Sequence, residues 1–247
     1  MLTNSNTLDR RSCIPALTVL LALAGGFVIT TNSRAEPAPS AGGEATATTV
    51  EIGDVDLRNS RVYIHVGKTG LGHEHAVEGR LKSGKLVLFG DASTSFLEFD
   101  MSTFAADWDA PRKYIGLNGT TPPATQRAVT ANMLGPDVLN VRKYPTARLD
   151  QLKVVAFPDR SARGLVQYQV DGRLTLHGTS QMVRFTVEAA SNDGWSRITG
   201  SMKIRQTSFG IKPYSTALGT VGVADVLTIH GDLRIAERRL AAEPAAP

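Results

Sequence analysis

The stretch that decides the fold runs from residue 167 to residue 188 and reads QYQVDGRLTLHGTSQMVRFTVE. In its first half, every second residue from Tyr168 to Leu176 is apolar or glycine, and the residues between them are polar. In its second half, every second residue from Val183 to Val187 is apolar in the same way. Such period-two alternation is typical of a β-strand with one buried and one wet face. Gly178 lies in a turn between the two halves, so the stretch predicts an antiparallel hairpin.

The same alternation recurs along the rest of the chain. Five further segments show it, at residues 62–66, 77–81, 97–101, 198–204 and 227–233. Strands of a parallel sheet are buried on both faces and read as continuous apolar runs. The alternation therefore predicts an all-β fold built on an antiparallel sheet.

Glycines on the inward face indicate how this sheet closes. Gly79, Gly172, Gly200 and Gly231 each occupy an inward position, where a packed sandwich would carry bulk. Glycine there permits strong sheet curvature, leaves room in the interior, or allows another group to approach closely. We therefore predict a single antiparallel barrel of about eight strands, like those of lipocalins and streptavidin. Such a barrel either holds one small apolar ligand or is filled by its own side chains.

One segment departs from the strand pattern. Pro122 and Pro123 precede residues 124–133, and Gly135-Pro136 follow, which predicts one short helix within a long connection. Residues 107–114 are interpreted as a long loop, either a lid over the barrel or a capped loop whose Trp108 covers the core. We favour the capped loop.

The N-terminal segment has the features of a secretory signal. Arg10-Arg11 precede an uncharged run from Ile14 to Ile29, and Ser33-Arg34-Ala35 offers a cleavage site. A membrane anchor needs roughly 20 apolar residues, and this run is shorter. We predict a cleaved signal peptide over 1–35, with the adjacent arginines a weak sign of twin-arginine export. A flexible leader over 36–49, a barrel domain over 50–236 and a flexible tail over 237–247 complete the organisation.

Charge and cysteine content exclude several classes of protein. The chain has 247 residues, a net charge of +4 and one cysteine, Cys13. Cleavage after Ala35 removes three arginines and one aspartate, so the mature net charge is lower by two. A single cysteine excludes an intrachain disulfide and a thiolate zinc cluster. The mild charge argues against nucleic-acid binding.

Several motifs, in their order and spacing, resemble the YceI-like family of secreted bacterial proteins. The most specific is Gly-Arg-Leu-Thr-Leu-His-Gly at 172–178. The others are the alternating residues at 60–66 and 77–81, Gly84-Lys-Leu86, Phe99-Asp100 with Ser102, Asn132-Met-Leu134 with Val138-Leu139, Lys143-Tyr-Pro145 with Ala147 and Leu149, and Ile204-Arg205 with Phe209-Gly-Ile211, where one residue is inserted. The resemblance covers about residues 50–236.

The resemblance implies a lipocalin-like barrel whose apolar interior holds an isoprenoid lipid, either a quinone or a polyprenyl phosphate. It also implies a periplasmic or secreted protein without established catalytic residues. On this interpretation the inward apolar residues line a lipid tunnel or form the core. They are Val62, Ile64, Val66, Val77, Leu81, Leu97, Phe99, Val170, Leu174, Val183, Phe185, Met202, Ile204, Leu227 and Ile229.

A Gly-His-Glu-His element at 72–75 departs from plain members of the family. Continued backwards, the phase of Val77 places His73 and His75 on the inward face. We interpret the pair as a polar barrel mouth, with contact to a ligand head group as one alternative and metal binding as another, because imidazole suits zinc or copper. Two ligands fall short of the four usual in structural zinc sites, so no metal is assigned.

Arg205 is a third head-group candidate. A guanidinium suits phosphate, yet arginine also bonds neighbouring carbonyls, and we favour the local role.

The leading hypothesis is therefore a periplasmic lipid-binding protein that is not an enzyme, because no catalytic motif with the right context occurs. It requires no cofactor, and an isoprenoid quinone or polyprenyl lipid is the expected bound molecule. It contacts the inner membrane transiently and does not bind nucleic acid; no oligomeric state follows from the sequence. The alternatives are a metal-binding or redox-accessory barrel using His73 and His75, and a ligand-free structural or stress-related envelope protein.

Overall fold

The architecture is a closed barrel of eight antiparallel strands. The computed structural model describes residues 49–88, 94–238 and 240–241, so the predicted signal peptide over 1–35 and nearly all of the predicted leader lie outside the described residues. The strands are β1 (Thr49–Val50), β2 (Arg61–Gly70), β3 (His75–Lys85), β4 (Phe96–Ala106), β5 (Thr146–Ala156), β6 (Val166–Leu176), β7 (Thr179–Asn192), β8 (Trp195–Arg205), β9 (Ser215–Thr216), β10 (Val221–Ala236) and β11 (Leu240–Ala241). The predicted antiparallel fold is confirmed.

Pairing between the first and last long strands closes the barrel. The sheet runs in the order β2-β3-β4-β5-β6-β7-β8-β10, and β10 also pairs with β2. In that pairing Gly231 lies opposite Val62 and Leu227 opposite Val66, with a register shift between Val223 and Leu227. Such irregularities let a sheet bend as it closes.

Two α-helices occur in the described residues, both in the connection between β4 and β5. Helix α2 (Pro123–Leu134) confirms the helix predicted from its flanking prolines. Helix α1 (Asp109–Ile115) was not predicted, and the interpretation of 107–114 as a loop was wrong. The sequence does contain signals for this helix. Asp109 and Pro111 lie in its first turn, and Gly116 ends it with a φ of 85°. Neither helix has the length and apolar character that a membrane-spanning helix requires.

Helix α1 packs on the outside of the barrel, against β2 and β3. Its Tyr114 stacks on Tyr63 of β2, with ring centroids 3.9 Å apart. Trp108, which was expected to cover the core, is 40% exposed. This correction also removes α1 as a lid, because none of its side chains lines the barrel interior.

Two contacts involve residues that follow position 236, the predicted end of the barrel domain. β11 pairs with β1, with Leu240 opposite Val50. Glu237 accepts hydrogen bonds from the hydroxyls of Ser191, at 2.5 Å, and Ser196. Glu237 and β11 thus contact residues of the barrel domain, whereas residue 239 and residues 242–247 of the predicted tail lie outside the described residues.

The barrel interior differs between its two ends. Because the sheet is antiparallel, β2, β4, β6 and β8 finish at the end where α2 lies, here called the α2 end. In the opposite half, Val55, Leu81, Leu97, Val170 and Ile198 are buried and belong to one hydrophobic cluster. The residues that remain at the α2 end surround an open space.

Three of the four inward glycines admit a neighbour rather than leave space. A methyl group at Gly79 would lie 2.4 Å from the ring of Phe104, and one at Gly172 would lie 2.5 Å from Leu152. At Gly200 it would lie 2.6 Å from the carbonyl oxygen of Thr186. A methyl group at Gly231 meets nothing within 4 Å. Close approach is therefore the role of three of them, and the expectation that they leave room holds at Gly231 alone.

Candidate functional site

The candidate site is a cavity of about 190 Å³ inside the α2 end of the barrel. Its walls come from the inward faces of the strands and from the α2 connection. Ten of the fifteen predicted tunnel residues line it: Val62, Ile64, Val66, Val77, Phe99, Leu174, Met202, Ile204, Leu227 and Ile229. Their role in ligand binding remains a prediction, but the structure brings these ten together.

The other five predicted residues do not line the cavity. Leu81, Leu97 and Val170 are buried in the packed half, and Val183 and Phe185 pack against that cluster. The period-two pattern assigns a residue to the inner face of a strand. It does not say how far along the barrel axis the residue lies, so it cannot separate tunnel from core.

The α2 connection closes the cavity, and its contribution was not predicted. Val129 and Met133 of α2, with Val138 and Leu139 after it, face the space. The first two are four residues apart and so share one face of the helix. That spacing was the available signal, but α2 has no buried residue.

Few polar side chains reach the cavity. They are His75, Asn132, Gln206 and Tyr214. The amide of Gln206 is engaged, because its nitrogen donates to the carbonyl oxygen of Ala224 at 2.8 Å. Among the described residues that line the cavity there is no lysine or arginine. The site thus offers an apolar chamber with an imidazole in its wall.

A buried carboxylate orients that imidazole. His75 Nδ1 lies 2.5 Å from Asp107 Oδ2, and the His75 side chain is 19% exposed. Because the carboxylate engages Nδ1, the ring is held with Nε2 as its remaining hydrogen-bonding atom. A residue that lines the cavity and has one ring nitrogen committed is suited to bind a polar group of a ligand.

Asp107 is itself firmly held. It is 1% exposed, and Oδ1 accepts hydrogen bonds from the backbone N–H of Ala76 at 3.0 Å and from Arg112 Nη1 at 3.4 Å. Burial alone raises the pKa of Asp107, but the hydrogen bonds from His75 and Ala76, with the charge of Arg112, outweigh burial and hold that pKa below its ordinary value. Asp109, in the first turn of α1, is exposed.

The backbone at Asp107 is also unusual. Its φ is 65°, a left-handed conformation that is uncommon for residues other than glycine. Aspartate tolerates this conformation better than most residues because its short side chain bonds locally. The conformation coincides with the point where β4 passes into α1, one residue after Ala106. The turn of the chain from β4 towards α1 therefore also sets the position of the Asp107 carboxylate.

His73 does not accompany His75 on the inward face, contrary to prediction. It is exposed and lies before β3 begins at His75, so the phase of the strand does not extend to it. In the described part of the chain, no three His, Cys, Asp or Glu residues are grouped to hold a metal ion. The metal alternative therefore gains no third ligand from these residues.

Arg205 also lies outside the cavity. It is exposed, and its Nη1 is 3.5 Å from Asp225 Oδ2. Its neighbour Gln206 is the residue that turns inward to line the cavity. The head-group role of Arg205 thus has no geometric support, and the local partner is the one observed.

Comparison with known proteins adds a family match. The family model described as the YceI-like domain matches residues 54–235. No curated protein sequence matches the chain.

Solved structures are similar over most of the chain. A polyisoprenoid binding domain from Saccharophagus degradans, implicated in plant cell wall breakdown, is 12% identical with a TM-score of 0.51, and the match covers 75% of this chain and 99% of that one. BcnA from Burkholderia cenocepacia is 21% identical with a TM-score of 0.46, covering 74% of this chain and 100% of that one. A YCEI protein from Campylobacter jejuni is 13% identical with a TM-score of 0.39, covering 65% and 84%. At these identities the first of the three supports the fold.

Proposed function

The chain belongs to the YceI-like domain family, and on that premise we propose that it binds an isoprenoid lipid in the cavity at the α2 end of its barrel. The observation that carries the proposal is the division of the barrel, with one half packed and the other enclosing an apolar space. The similar Saccharophagus degradans domain is described as polyisoprenoid binding, which agrees with this ligand class.

The size and walls of the cavity suit an apolar chain. An engineered apolar cavity of about 150 Å³ stays dry and binds benzene, and the cavity here is larger, at about 190 Å³. Transfer of apolar surface from water contributes roughly 25 cal/mol per Å² before ordering costs. A lipid longer than the chamber extends past α2, which has no buried residue to hold it down.

The polar wall favours a neutral head group. A phosphate or pyrophosphate carries charge that proteins usually meet with arginine or lysine. Among the described residues neither lines the cavity, and Arg205 is paired with Asp225 outside it. His75 can instead hydrogen-bond a carbonyl or hydroxyl group. We therefore propose an isoprenoid quinone over a polyprenyl phosphate, with His75 contacting its head group.

We assign the protein a carrier or sequestering role in the periplasm or outside the cell, with no catalytic step. The predicted signal peptide over 1–35 supports this location. Binding without chemistry suits the site, because four of the described residues that line the cavity are polar and the side-chain partner of His75 is the buried Asp107.

An equilibrium titration with a short-chain isoprenoid quinone tests the proposal. Wild-type protein should bind it one to one, and Ile229→Trp, which fills the chamber, should abolish binding. Ile198→Val is the matched control, because Ile198 lies in the packed half and is 2% exposed. It should lose about 0.5–1.5 kcal/mol of stability and bind quinone normally. Equal binding by the wild type and Ile229→Trp would place the ligand elsewhere and refute the proposal.

The head-group contact has its own test. His75→Leu should weaken quinone binding by roughly 3- to 10-fold, as expected for one lost hydrogen bond. Binding of a linear isoprenoid hydrocarbon without a head group should not weaken. A similar loss for both ligands would show that His75 acts through packing instead.

A further inference from the structure

We infer that Leu71 and Leu218 form a docking surface for an anionic lipid bilayer at the mouth of the cavity. The inference rests on the proposed function, because a bilayer is where an apolar isoprenoid lipid resides.

Both leucines project into water from turns at the α2 end. Leu71 is 80% exposed in the turn between β2 and β3, and Leu218 is fully exposed at 108%, in the turn before β10. The two turns touch, since the backbone N–H of Leu71 donates to the carbonyl oxygen of Thr220 at 2.9 Å. Val221 also pairs with Gly70. The leucines thus belong to one rim rather than to separate loops.

This rim is continuous with the cavity. Tyr214 lines the cavity and is 40% exposed, so it reaches both the interior and the surface. Its carbonyl oxygen accepts from the N–H of Val223 at 3.0 Å, and Val223 also lines the cavity. The chain on both sides of Leu218 is therefore in contact with the wall of the chamber. Single exposed apolar residues are ordinary, but leucines beside an apolar opening form a surface that a bilayer interface can bury.

The backbone conformation at Leu218 is an unfavourable one for a leucine. Its φ is 55°, a conformation that large side chains rarely adopt. Gly219 follows with a φ of 89°. Two consecutive left-handed residues turn the chain sharply and hold the leucine away from the barrel. A hydrophobic residue kept in water by an unfavourable backbone conformation suggests a role outside folding.

The charge of this end selects the type of bilayer. Three of the segments at this end, 67–75, 122–145 and 206–224, contain five basic residues and two acidic ones. Lys68, Arg127, Arg142 and Lys212 are exposed and make no ion pair with the described residues. Glu74 is engaged by His65 at 3.2 Å, leaving Asp137 as the other acidic residue. Basic residues near a membrane surface are attracted to anionic lipids. Neutral lipids give no such attraction.

Vesicle co-sedimentation tests the inference. Wild-type protein should associate with vesicles of phosphatidylglycerol and phosphatidylcholine and less with phosphatidylcholine alone, with salt weakening the first. Leu71→Asp/Leu218→Asp should lower association by about 10-fold or more, because two apolar contacts are lost and two like charges are added. Leu71→Ser/Leu218→Ser should lower it as well, which separates apolar contact from charge.

A matched control isolates position from charge. Ile52→Asp/Val155→Asp adds the same charge on residues 55% and 47% exposed at the opposite end of the barrel. It should associate with vesicles as the wild type does, apart from a small loss from its lower net charge. If it loses as much association as the rim variant, or if the rim variant associates like the wild type, the inference is overturned.

A second measurement separates this inference from the proposed function. Quinone uptake from vesicles should be slowed in the rim variant, while equilibrium uptake of the same quinone from solution should be unchanged. Wild-type association with vesicles without any quinone binding would leave the docking surface standing and contradict the proposed function. Normal quinone binding with no vesicle association would contradict the docking surface and leave the proposed function standing.

Discussion

At the scale of single residues, the contact between His75 and Asp107 is the feature that most defines the site. The two residues are separated by 31 others in the chain and meet at 2.5 Å. The Gly-His-Glu-His element directed attention to His75, but nothing local identified Asp107 as its partner. The partner follows from the fold, because β3 begins beside the point where β4 ends, with Val77 opposite Ala106.

Replacing Asp107 should reveal this contact in the pH dependence of stability. The pKa of Asp107 is lowered in the folded protein. Its stabilising contribution is therefore present above the ordinary carboxyl pKa, about 4, and is lost as pH falls through the lower folded value. Asp107→Asn should reduce the free energy of unfolding at pH 7 by about 1–3 kcal/mol. Urea unfolding should show that difference shrinking at pH 3.

The exposed Asp109 provides the control. Asp109→Asn makes the same chemical change two residues away, in the first turn of α1. It should alter stability by less than about 1 kcal/mol, the range of a charge near a helix terminus. A difference between wild type and Asp107→Asn that stays constant from pH 7 to pH 3 would show that ionisation of Asp107 does not stabilise the fold.

Two glycines on the inward face should respond oppositely to the same substitution. Gly79→Ala places a methyl group 2.4 Å from Phe104, so the ring must move and stability should fall by about 1–3 kcal/mol. Gly231→Ala meets nothing within 4 Å and should be neutral or stabilising by up to about 1 kcal/mol. Denaturant unfolding of both variants measures the contrast. Equal losses of stability would show that a methyl group at Gly231 meets neighbouring atoms.

At the scale of elements, α2 is the least secured part of the site. It packs mainly against β4 and has no buried residue. A polar anchor joins it to the barrel, where the backbone N–H of Ala106 donates to Thr130 Oγ1 at 3.0 Å. Val129 and Met133 supply its apolar contacts with the cavity. An element held by so few contacts opens at lower free energy than the strands.

Hydrogen exchange should detect this difference and its response to ligand. Amides of α2 should exchange faster than those of β3 and β6 in the free protein and slow on saturation with quinone. Thr130→Val keeps the side-chain shape but removes the acceptor for Ala106, so it should speed exchange in α2 while leaving the barrel strands unchanged. Exchange in α2 that is indifferent to both ligand and substitution would contradict a covering role for this helix.

The sequence predicted some elements better than others, for physical reasons. Period-two alternation identified the long strands, because a half-buried strand imposes it directly. Proline and glycine predicted α2. Helix α1 was missed because it is only seven residues long. His73 was misplaced because the phase of β3 was extended past its first residue, His75.

At the scale of the whole molecule, the division of the barrel into a packed and an open half is what the sequence could not predict. Both halves use the same alternating pattern, as Val170 in the core and Leu174 at the cavity show on one strand. Whether an inward residue meets a neighbour or a space depends on the side chains of every strand at that height. That information is distributed around the barrel and does not appear in any one segment.

The most direct test of the account is native mass spectrometry of the protein purified from the cells that make it, with organic extraction of whatever is bound. The account predicts one isoprenoid lipid, a quinone, per chain, lost in Ile229→Trp and retained in Ile198→Val. A protein that carries no lipid and takes up none from added quinone would contradict it, and would leave a barrel that is only structural.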